Sequence, residues 1–308
     1  MGDLLMLTPV RLPSSLHGDQ KRRREVETMT GQKVWFITGA GRGIGSDLVT
    51  AALEAGHNVV ATARDDVAVT AEVGEHERLL ALAMDVTDPA AVDGAVRKAL
   101  DRFGSIDVLI NNAGRFYTGF FETLSPEQVR AQMEVNFFGT LNVTRAVLPV
   151  MRAQRRGHVV TVSALVGIVG APFISIFAAS KFALEGWMES ITPEVAPFGI
   201  TTTIVEPGAF RTKPPKDRGR TVFPEIAIED YAEATKKHTE SVKGFNGKEP
   251  GHRKKLASAF ISIVDMKQPP KRWVVGDDAV EGIVAKGRQL IADATAFSEL
   301  STRLAHDD

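Results

Sequence analysis

Short apolar runs alternate with amphipathic segments from Lys33 onward, and this alternation restricts the fold more than any other feature of the sequence. Such a pattern predicts βαβ units, with helices on both faces of a doubly wound parallel α/β sheet. The predicted strands are Val34–Thr38, Asn58–Ala63, Leu79–Met84, Ile106–Ile110, His158–Val162, Ile200–Val205 and Trp273–Val275. The predicted helices are Gly43–Ala55, Pro89–Phe103, Pro126–Arg152, Ile174–Ala196, Lys254–Met266 and Asp277–Ala292.

The chain of 308 residues is long enough for one large α/β domain, and no internal repeat or change in composition marks a second one. We therefore predict a single domain at 33–300, with a leader or disordered extension at 1–32 and a short tail at 301–308. Residues 209–255 break the alternation, with a run of prolines and charges followed by repeated glycines. An insertion of this length is typical of a lid or a substrate-binding loop.

Composition excludes several classes of function. The net charge of −1 provides no field that would attract nucleic acid or an anionic membrane, and basic residues are not interleaved with aromatic ones. The chain contains no cysteine, and its histidines are not spaced as metal ligands, so we predict neither disulfides nor a metal site. No apolar stretch reaches transmembrane length. We expect a soluble, cytoplasmic protein that binds a small molecule.

A glycine-rich loop, Thr38-Gly-Ala-Gly-Arg-Gly-Ile-Gly45, joins the first strand directly to the first helix. Gly39, Gly43 and Gly45 suit a tight turn, close approach of the backbone to a pyrophosphate, and close packing of helix on strand. The helix N-terminus would then face the phosphates. This placement predicts a Rossmann-like dinucleotide site.

The end of the second strand indicates which dinucleotide is preferred. An acidic residue at this point would bind the adenosine ribose hydroxyls, but the position is occupied by Ala63. Arg64 follows it, and Arg42 adds a second positive charge from the glycine loop. Arginine suits a 2′-phosphate through its paired N–H donors. We therefore predict NADP(H) in preference to NAD(H), with Asp65 as the one carboxylate that could turn back toward the ribose.

Together the motifs resemble the short-chain dehydrogenase/reductase family over residues 33–300. The matching segments are the glycine loop at 38–45, Asp85, Asn111–Gly114, Asn136, Lys181 and Pro207-Gly208. Residues 61–64 and 181–186 are similar to the branch that includes 17β-hydroxysteroid and retinol dehydrogenases. The resemblance implies a nicotinamide-dependent enzyme that interconverts a ketone or aldehyde and an alcohol. The expected cofactor contacts are Gly39, Gly41, Arg42, Gly43, Ile44, Gly45, Arg64, Asp85, Val86, Asn112, Ala113, Gly114, Lys181, Pro207, Gly208 and Thr212.

In that family a tyrosine four residues before the lysine exchanges a proton with the substrate oxygen. A serine thirteen residues before the tyrosine hydrogen-bonds the same oxygen. The resemblance implies that Lys181 binds the nicotinamide ribose and that Asn136 holds a relay water. Counting back from Lys181, however, leads to Phe177 and then to Ala164. Ser163 is one residue early and, at a strand end, is predicted to point to the opposite face.

The two replacements remove one hydroxyl each and otherwise keep the side-chain shape. This favours deliberate inactivation of a working reductase. The alternative is a natural member that has abandoned redox chemistry, acting as a cofactor-binding sensor or as a template for a cyclase or isomerase. Under both interpretations we predict that cofactor binding is retained and carbonyl reduction is negligible.

The substrate is predicted to be an apolar alcohol or ketone, because aromatic and aliphatic residues dominate the loops after the relevant strands. The candidate contacts are Phe116, Phe120, Leu165, Phe173 and Phe210. The helices predicted at 126–152 and 174–196 are long and apolar on more than one stripe. In the family these helices pair across a two-fold axis, which implies a homodimer or homotetramer.

Overall fold

A computed structural model describes residues 31–211, 221–245 and 247–302 of the chain. Its strands in chain order are β1 (Val34–Thr38), β2 (Asn58–Ala63), β3 (Leu79–Ala83), β4 (Val108–Asn111), β5 (Phe116–Tyr117), β6 (Gly157–Val162), β7 (Ile200–Pro207), β8 (Thr221–Val222) and β9 (Arg272–Val275). Seven of them form one parallel sheet in the order β3-β2-β1-β4-β6-β7-β9. The order reverses direction at β1, so the sheet is doubly wound as predicted. The short strands β5 and β8 pair separately.

The helices are α1 (Gly43–Glu54), α2 (Asp66–Val73), α3 (Pro89–Phe103), α4 (Pro126–Met133), α5 (Gly139–Gln154), α6 (Ser175–Val195), α7 (Ala232–Phe245), α8 (Arg253–Val264), α9 (Asp277–Ala296) and α10 (Ser298–Ser301). Several begin at side-chain caps that the sequence provides. The Asp88 carboxylate accepts hydrogen bonds from the first turn of α3, and Ser125 forms a capping box with Gln128 at α4.

The sheet separates two apolar cores, because successive residues of a strand point to opposite faces. In β1, Val34 and Phe36 belong to the core beneath α3 and α5, whereas Trp35 and Ile37 belong to the core beneath α1 and α8. Residues on both faces are almost fully buried. Strands covered on both faces are mostly apolar on both sides, which explains the short apolar runs in the sequence.

Three features differ from the sequence-based expectation. The helix predicted at 126–152 is interrupted by a π-helical turn at Glu134–Phe138. A short helix, α2, follows β2 because the Asp65 side chain accepts a hydrogen bond from the Val67 N–H and caps it. The segment at 209–255 is not irregular throughout, since it contains the short strand β8 and the 14-residue helix α7.

Within the part of the chain that the structure describes, no helix is both long and apolar enough to cross a bilayer. The extension predicted at 1–32 lies outside the described residues, apart from its last two positions. Most of the predicted tail at 301–308 lies outside them as well.

Candidate active site

The glycine loop leaves no room for side chains at two of its predicted positions. Gly39 has a φ of +65°, which favours glycine, and a Cβ there would lie 2.7 Å from the Ala113 Cα. A Cβ on Gly45 would lie 2.2 Å from the Gly39 carbonyl oxygen. The first turn of α1 therefore packs directly on the turn that precedes it. This is the bare backbone cradle that a pyrophosphate requires, so the loop fits a dinucleotide.

The Asn112–Gly114 turn is joined to the glycine loop by hydrogen bonds. The Thr38 hydroxyl accepts from the backbone N–H groups of Asn112 and Ala113, each at 3.0 Å. In return, the Asn112 side-chain amide donates to the carbonyl oxygens of Thr38 at 2.9 Å and Gly39 at 3.2 Å. The two predicted cofactor loops are thus one rigid unit. The role of Thr38 was not predicted from the sequence, although a threonine that ends a strand before a glycine turn is a recognisable candidate for such a contact.

Charges cluster at the carboxyl ends of β2 and β3. The Asp65 carboxylate is engaged in capping α2, with 3.0 Å between its oxygen and the Val67 nitrogen. Partial burial alone would raise the pKa of Asp85. Hydrogen bonds from Thr87 and the positive charges of Arg64 and Arg115 outweigh that effect and lower the pKa. The carboxylate of Asp85 is therefore ionised and available as an acceptor at neutral pH, and Arg64 acts on the same end of the sheet.

Lys181 is buried in the first half of α6, and its ammonium group donates to the Val162 carbonyl oxygen at 2.8 Å. The same nitrogen lies 5.8 Å from the centre of the Phe177 ring, one helical turn earlier. The edge of the Phe116 ring packs against Phe177 at a centroid distance of 4.9 Å. Lys181 therefore faces an apolar ring in an aromatic setting, and that ring provides neither a proton nor a hydrogen bond.

Asn136 lies in the π-helical turn, and its side chain is completely buried. Its oxygen accepts from the Arg115 N–H at 2.8 Å, and its nitrogen donates to the Arg115 carbonyl at 3.1 Å. The nitrogen also donates to the Ser180 hydroxyl at 3.0 Å, and that hydroxyl donates to the Phe177 carbonyl. The Asn136 amide therefore connects the loop after β4 to the turn of α6 that carries Phe177 and Lys181.

Ser163 does not replace the hydroxyl that Ala164 lacks. Its own hydroxyl is buried and makes no hydrogen bond to any residue that the structure describes. It lies under Gly167, where a Cβ would be 2.5 Å from the Ser163 oxygen and 3.0 Å from a Glu185 carboxylate oxygen. Beside Ser163, Glu185 and Glu206 share Arg272 as a hydrogen-bond donor. Burial together with the Glu185 charge raises the pKa of Glu206 to about 7.

An aromatic stack connects the insertion to the loops around the predicted substrate site. Phe120 stacks on Tyr231 at 4.3 Å and meets the edge of Phe173 at 4.8 Å. Phe173, which has a φ of +66°, stacks in turn on His238 of α7 at 4.2 Å. The His238 ring also hydrogen-bonds the Thr118 hydroxyl at 2.7 Å. Neither Tyr231 nor His238 was predicted from the sequence, because both come from the irregular-looking insertion.

The remaining predicted residues lie at different places around the carboxyl end of β7, α9 and the core beneath α1 and α8. Leu165 lies against α9, where a Cβ on Gly282 would come within 2.9 Å of its side chain. Phe210 packs against Gly251 and joins the core beneath α1 and α8, so it lies apart from the Phe116–Phe177 pair. Pro207 ends β7, and the following Gly208–Ala209 turn is held by the Asp278 carboxylate, which accepts from the Ala209 N–H at 2.7 Å. Thr212 lies outside the described residues.

The fold and this constellation define a nicotinamide-type oxidoreductase scaffold, and the comparisons with known proteins agree. A family model described as short chain dehydrogenase matches residues 33–221. The chain is 38% identical to "Oxidoreductase BOA17" of Botryotinia fuckeliana over 87% of its length and 98% of that protein. It is 36% identical to the 3-ketodihydrosphingosine reductase of Bacteroides thetaiotaomicron over 85% of its length and 94% of that protein. The chain belongs to the short-chain dehydrogenase/reductase family of oxidoreductases.

Solved structures have the same architecture. A short-chain dehydrogenase from Streptomyces avermitilis superposes with a TM-score of 0.81 at 35% identity, covering 90% of this chain and 100% of that one. A family member from Burkholderia phymatum in complex with NAD has a TM-score of 0.72 at 21% identity, covering 85% of this chain and 95% of its own. ElxO with NADP bound has a TM-score of 0.66 at 20% identity, covering 82% and 100%. Proteins of this fold thus bind either nicotinamide dinucleotide.

Proposed function

We propose that this chain is an NADP(H)-binding oxidoreductase scaffold for an apolar ketone or aldehyde and its alcohol, in which proton transfer is disabled at positions 164 and 177. One observation carries the proposal. Lys181 is buried and held by the Val162 carbonyl, yet the group it faces is the Phe177 ring. We assign the cofactor to the glycine loop, the Asn112–Gly114 turn and Lys181. When bound, the dinucleotide supplies or accepts a hydride.

Three observations at the adenosine end support a preference for NADP(H). Ala63, which ends β2, lies against the glycine loop, since a Cβ on Gly41 would be 3.2 Å from its methyl group. The adjacent Asp65 caps α2. The Asp65 carboxylate therefore accepts a hydrogen bond from α2, and we do not assign it to the ribose hydroxyls. Arg64 and Arg42 remain as the charged side chains suited to a 2′-phosphate.

The loss of proton transfer follows from the chemistry of carbonyl reduction. Hydride addition creates negative charge on the substrate oxygen, which needs a proton donor and hydrogen bonds in place. A phenyl ring at 177 and a methyl group at 164 supply neither. Loss of general acid catalysis costs about 10²–10⁴-fold in rate, and loss of an oxyanion donor about 10²–10³-fold, without strict additivity. Asn136 and Lys181 keep the site in shape but do not restore the missing proton donor.

The aromatic surroundings support an apolar substrate. Phe116 and Phe177 are in contact, and Phe120, Phe173 and Tyr231 form a second group joined to the insertion. The name of the similar 3-ketodihydrosphingosine reductase supports a ketone as the oxidised form. The 17β-hydroxysteroid and retinol dehydrogenase branch remains our proposal for the nearest functional group, on the segments at 61–64 and 181–186.

We further propose a homodimer or homotetramer through the surface of α4–α5 and α6, in the cytoplasm. Phe138, in the π-helical turn, is 45% exposed, and Phe182 of α6 is 44% exposed. Large apolar side chains left open on neighbouring helices support burial against a second copy.

The decisive experiment restores both hydroxyls. The chain as it stands and its F177Y/A164S variant are incubated with NADPH and a panel of apolar aldehydes and ketones, and NADPH oxidation is followed. We expect the variant to oxidise NADPH at least about 10²-fold faster than the unaltered chain. Adding Lys181→Ala to the variant should remove that activity again. Turnover by the unaltered chain at the variant's rate would contradict the proposal. Silence of both proteins would favour a non-redox role.

A further inference from the structure

The C-terminal helix α9 extends away from the rest of the protein. Its first turns are covered, with Ala279 buried and Gly282 lying against Leu165. Every residue from Gly287 to Ala296 is exposed. This exposed part is nevertheless apolar on one side, since Leu290 is 52% and Ile291 55% exposed. Helices of this length gain most of their stability from packing an apolar face, so the exposed part of α9 lacks the packing that would stabilise it.

The apolar residues follow the spacing of a coiled coil. Steps of three and four residues connect positions that form a narrow seam along the helix. Within the helix the seam is Val280, Ile283, Gly287, Leu290 and Ala294, and Phe297 follows as the residue that ends the helix. Val284 and Ile291 flank one side of it, and Lys286 and Asp293 flank the other. In a two-stranded coiled coil, residues that flank the seam of one helix contact residues that flank the seam of the other. Which of these four residues meet therefore depends on whether the two helices run parallel or antiparallel.

We propose that the exposed face of α9 binds α9 of a second copy of this chain, in antiparallel orientation about a two-fold axis between Arg288 and Gln289. In this register two kinds of layer form between the helices, each occurring twice by symmetry and each pairing a larger side chain with a smaller one. Ile283 faces Ala294 and Gly287 faces Leu290 of the other copy, and Val280 lies level with the end of the partner helix at Phe297. Such alternation fills the seam without voids.

The flanking residues favour the same arrangement. In antiparallel pairing each side of the seam faces the same side of its partner, so Lys286 meets Asp293 of the other copy, twice by symmetry. On the other side Val284 meets Ile291. In a parallel pair, Lys286 would lie opposite Ile291, and the two Gly287 residues would face each other across a void. Charge and volume therefore both select the antiparallel second copy as the occupant.

The size of the contact sets the expected strength. A helix of 20 residues is about 30 Å long, and two such helices bury less than the roughly 800 Å² per partner of a standard interface. The pair is therefore a secondary contact, distinct from the proposed α4–α6 surface. It is expected to double the particle mass at high protein concentration and to be lost on dilution.

Cysteine cross-linking tests the register directly, because the chain contains no cysteine of its own. A Gly287→Cys chain is mixed with a Leu290→Cys chain and oxidised. We expect a covalent dimer containing one of each, and much less from either variant alone. Ala285→Cys mixed with Ala292→Cys is the matched control, at the same level of the pair but on its outer face. Absence of the mixed dimer, or equal cross-linking by the control pair, would overturn the proposal.

Charge exchange provides a second test that does not depend on oxidation. Sedimentation is measured over a range of concentrations for Lys286→Asp and Asp293→Lys, separately and as an equimolar mixture. Each variant alone brings like charges together and should dissociate at about 10-fold higher protein concentration than the unaltered chain, most clearly at low salt, where the repulsion is least screened. The mixture should recover association, since every contact then pairs opposite charges. Leu290→Asp, which places a charge in the seam, should also abolish association. If the mass of the charge variants and their mixture, or of Leu290→Asp, equals that of the unaltered chain, the pairing is refuted and this face has another occupant.

Discussion

At the scale of single residues, the proposed loss of proton transfer rests on how Phe177 and Lys181 are held. The ammonium group of Lys181 lies over the Phe177 ring and is held by a backbone carbonyl that belongs to β6. Phe177 is held in its own right by the edge contact with Phe116. A tyrosine would fit the same aromatic surroundings with its hydroxyl added, which is why the double restoration is a fair test.

Gly45→Ala should damage the cofactor site more than any other single methyl addition. The new Cβ would lie 2.2 Å from the Gly39 carbonyl oxygen, which belongs to the backbone and can move only with the loop. We expect a loss of about 1–3 kcal/mol in stability and loss of dinucleotide affinity. Thermal unfolding with and without NADPH measures both.

Gly186→Ala in α6 is the matched control, since a Cβ there meets nothing within 4 Å. It should stabilise the protein by about 0.5–1 kcal/mol, because alanine is the better helix former. If the two alanine variants had the same effect, the close packing of α1 on the glycine turn would be wrong.

Arg64 should determine the choice of dinucleotide. Arg64→Ser removes the donor proposed for the 2′-phosphate and should weaken NADPH binding about 10–100-fold while leaving NADH binding nearly unchanged. Isothermal titration of both cofactors checks this, with the exposed Arg97→Ser as control. Tighter binding of NADH than of NADPH by the unaltered chain would contradict the assignment.

At the scale of elements, Tyr231 and, in α7, His238 connect the described part of the insertion to the loops around Phe120 and Phe173 by one stack of rings. The Thr118 hydroxyl donates to the Phe173 carbonyl at 3.1 Å, so it must accept its other hydrogen bond from the His238 ring. The nitrogen that faces Thr118 therefore carries the proton, and burial lowers the pKa of His238, which favours the neutral ring. Helix α7 is consequently held by one stack and one neutral hydrogen bond at this point.

His238→Ala should open α7, whereas His238→Phe should keep it closed. Alanine loses both the stack on Phe173 and the bond to Thr118, while phenylalanine retains the stack, whose worth is about 0.5–1.5 kcal/mol. Amide hydrogen exchange across residues 232–245 reports the difference. Lys236→Ala, an exposed exchange on the same helix, is the control. Equal protection in the alanine and phenylalanine variants would show that the stack does not hold the helix.

At the scale of the whole molecule, the parallel sheet buries groups whose ionisation then depends on folding. His158 of β6 is buried, and its ring hydrogen-bonds the Thr203 hydroxyl on the neighbouring strand β7 at 2.9 Å. Burial, with a further contribution from the Lys33 charge, lowers the pKa of His158 to about 3. Between that value and the ordinary histidine pKa, the unfolded chain binds a proton that the folded protein does not.

This predicts a defined acid sensitivity. The free energy of unfolding contributed by neutral His158 is fully present above about pH 6.5. It decreases as the pH falls below that value, and the decrease amounts to about 2 kcal/mol at pH 5. In denaturant unfolding, the free energy of unfolding of His158→Gln should fall less between pH 8 and pH 5 than that of the unaltered chain, by about this amount. The same substitution at the exposed His76 should leave the pH dependence unchanged. A parallel decline in the unaltered chain and His158→Gln would disprove the account.

The sequence by itself determined the sheet and the plan of the site. Short, mostly apolar runs are typical of strands covered on both faces, and they predicted β1, β2 and β6 and the βαβ units of a doubly wound sheet. The resemblance to the short-chain dehydrogenase/reductase family, read from Lys181 backwards, located Phe177 and Ala164 as the positions where the family has its tyrosine and serine. Glycines at a strand–helix junction likewise have few other uses.

Only the tertiary structure decided how these parts are held together. The π-helical turn at Asn136 depends on bonds to Arg115 and Ser180, which are distant in sequence and leave no local pattern. Asp65 could be recognised as a cap only once α2 was seen to follow it. His238 and Tyr231 come from a segment whose prolines and glycines conceal a helix. Local sequence reports what a segment prefers, whereas these contacts arise from which segments the fold brings together.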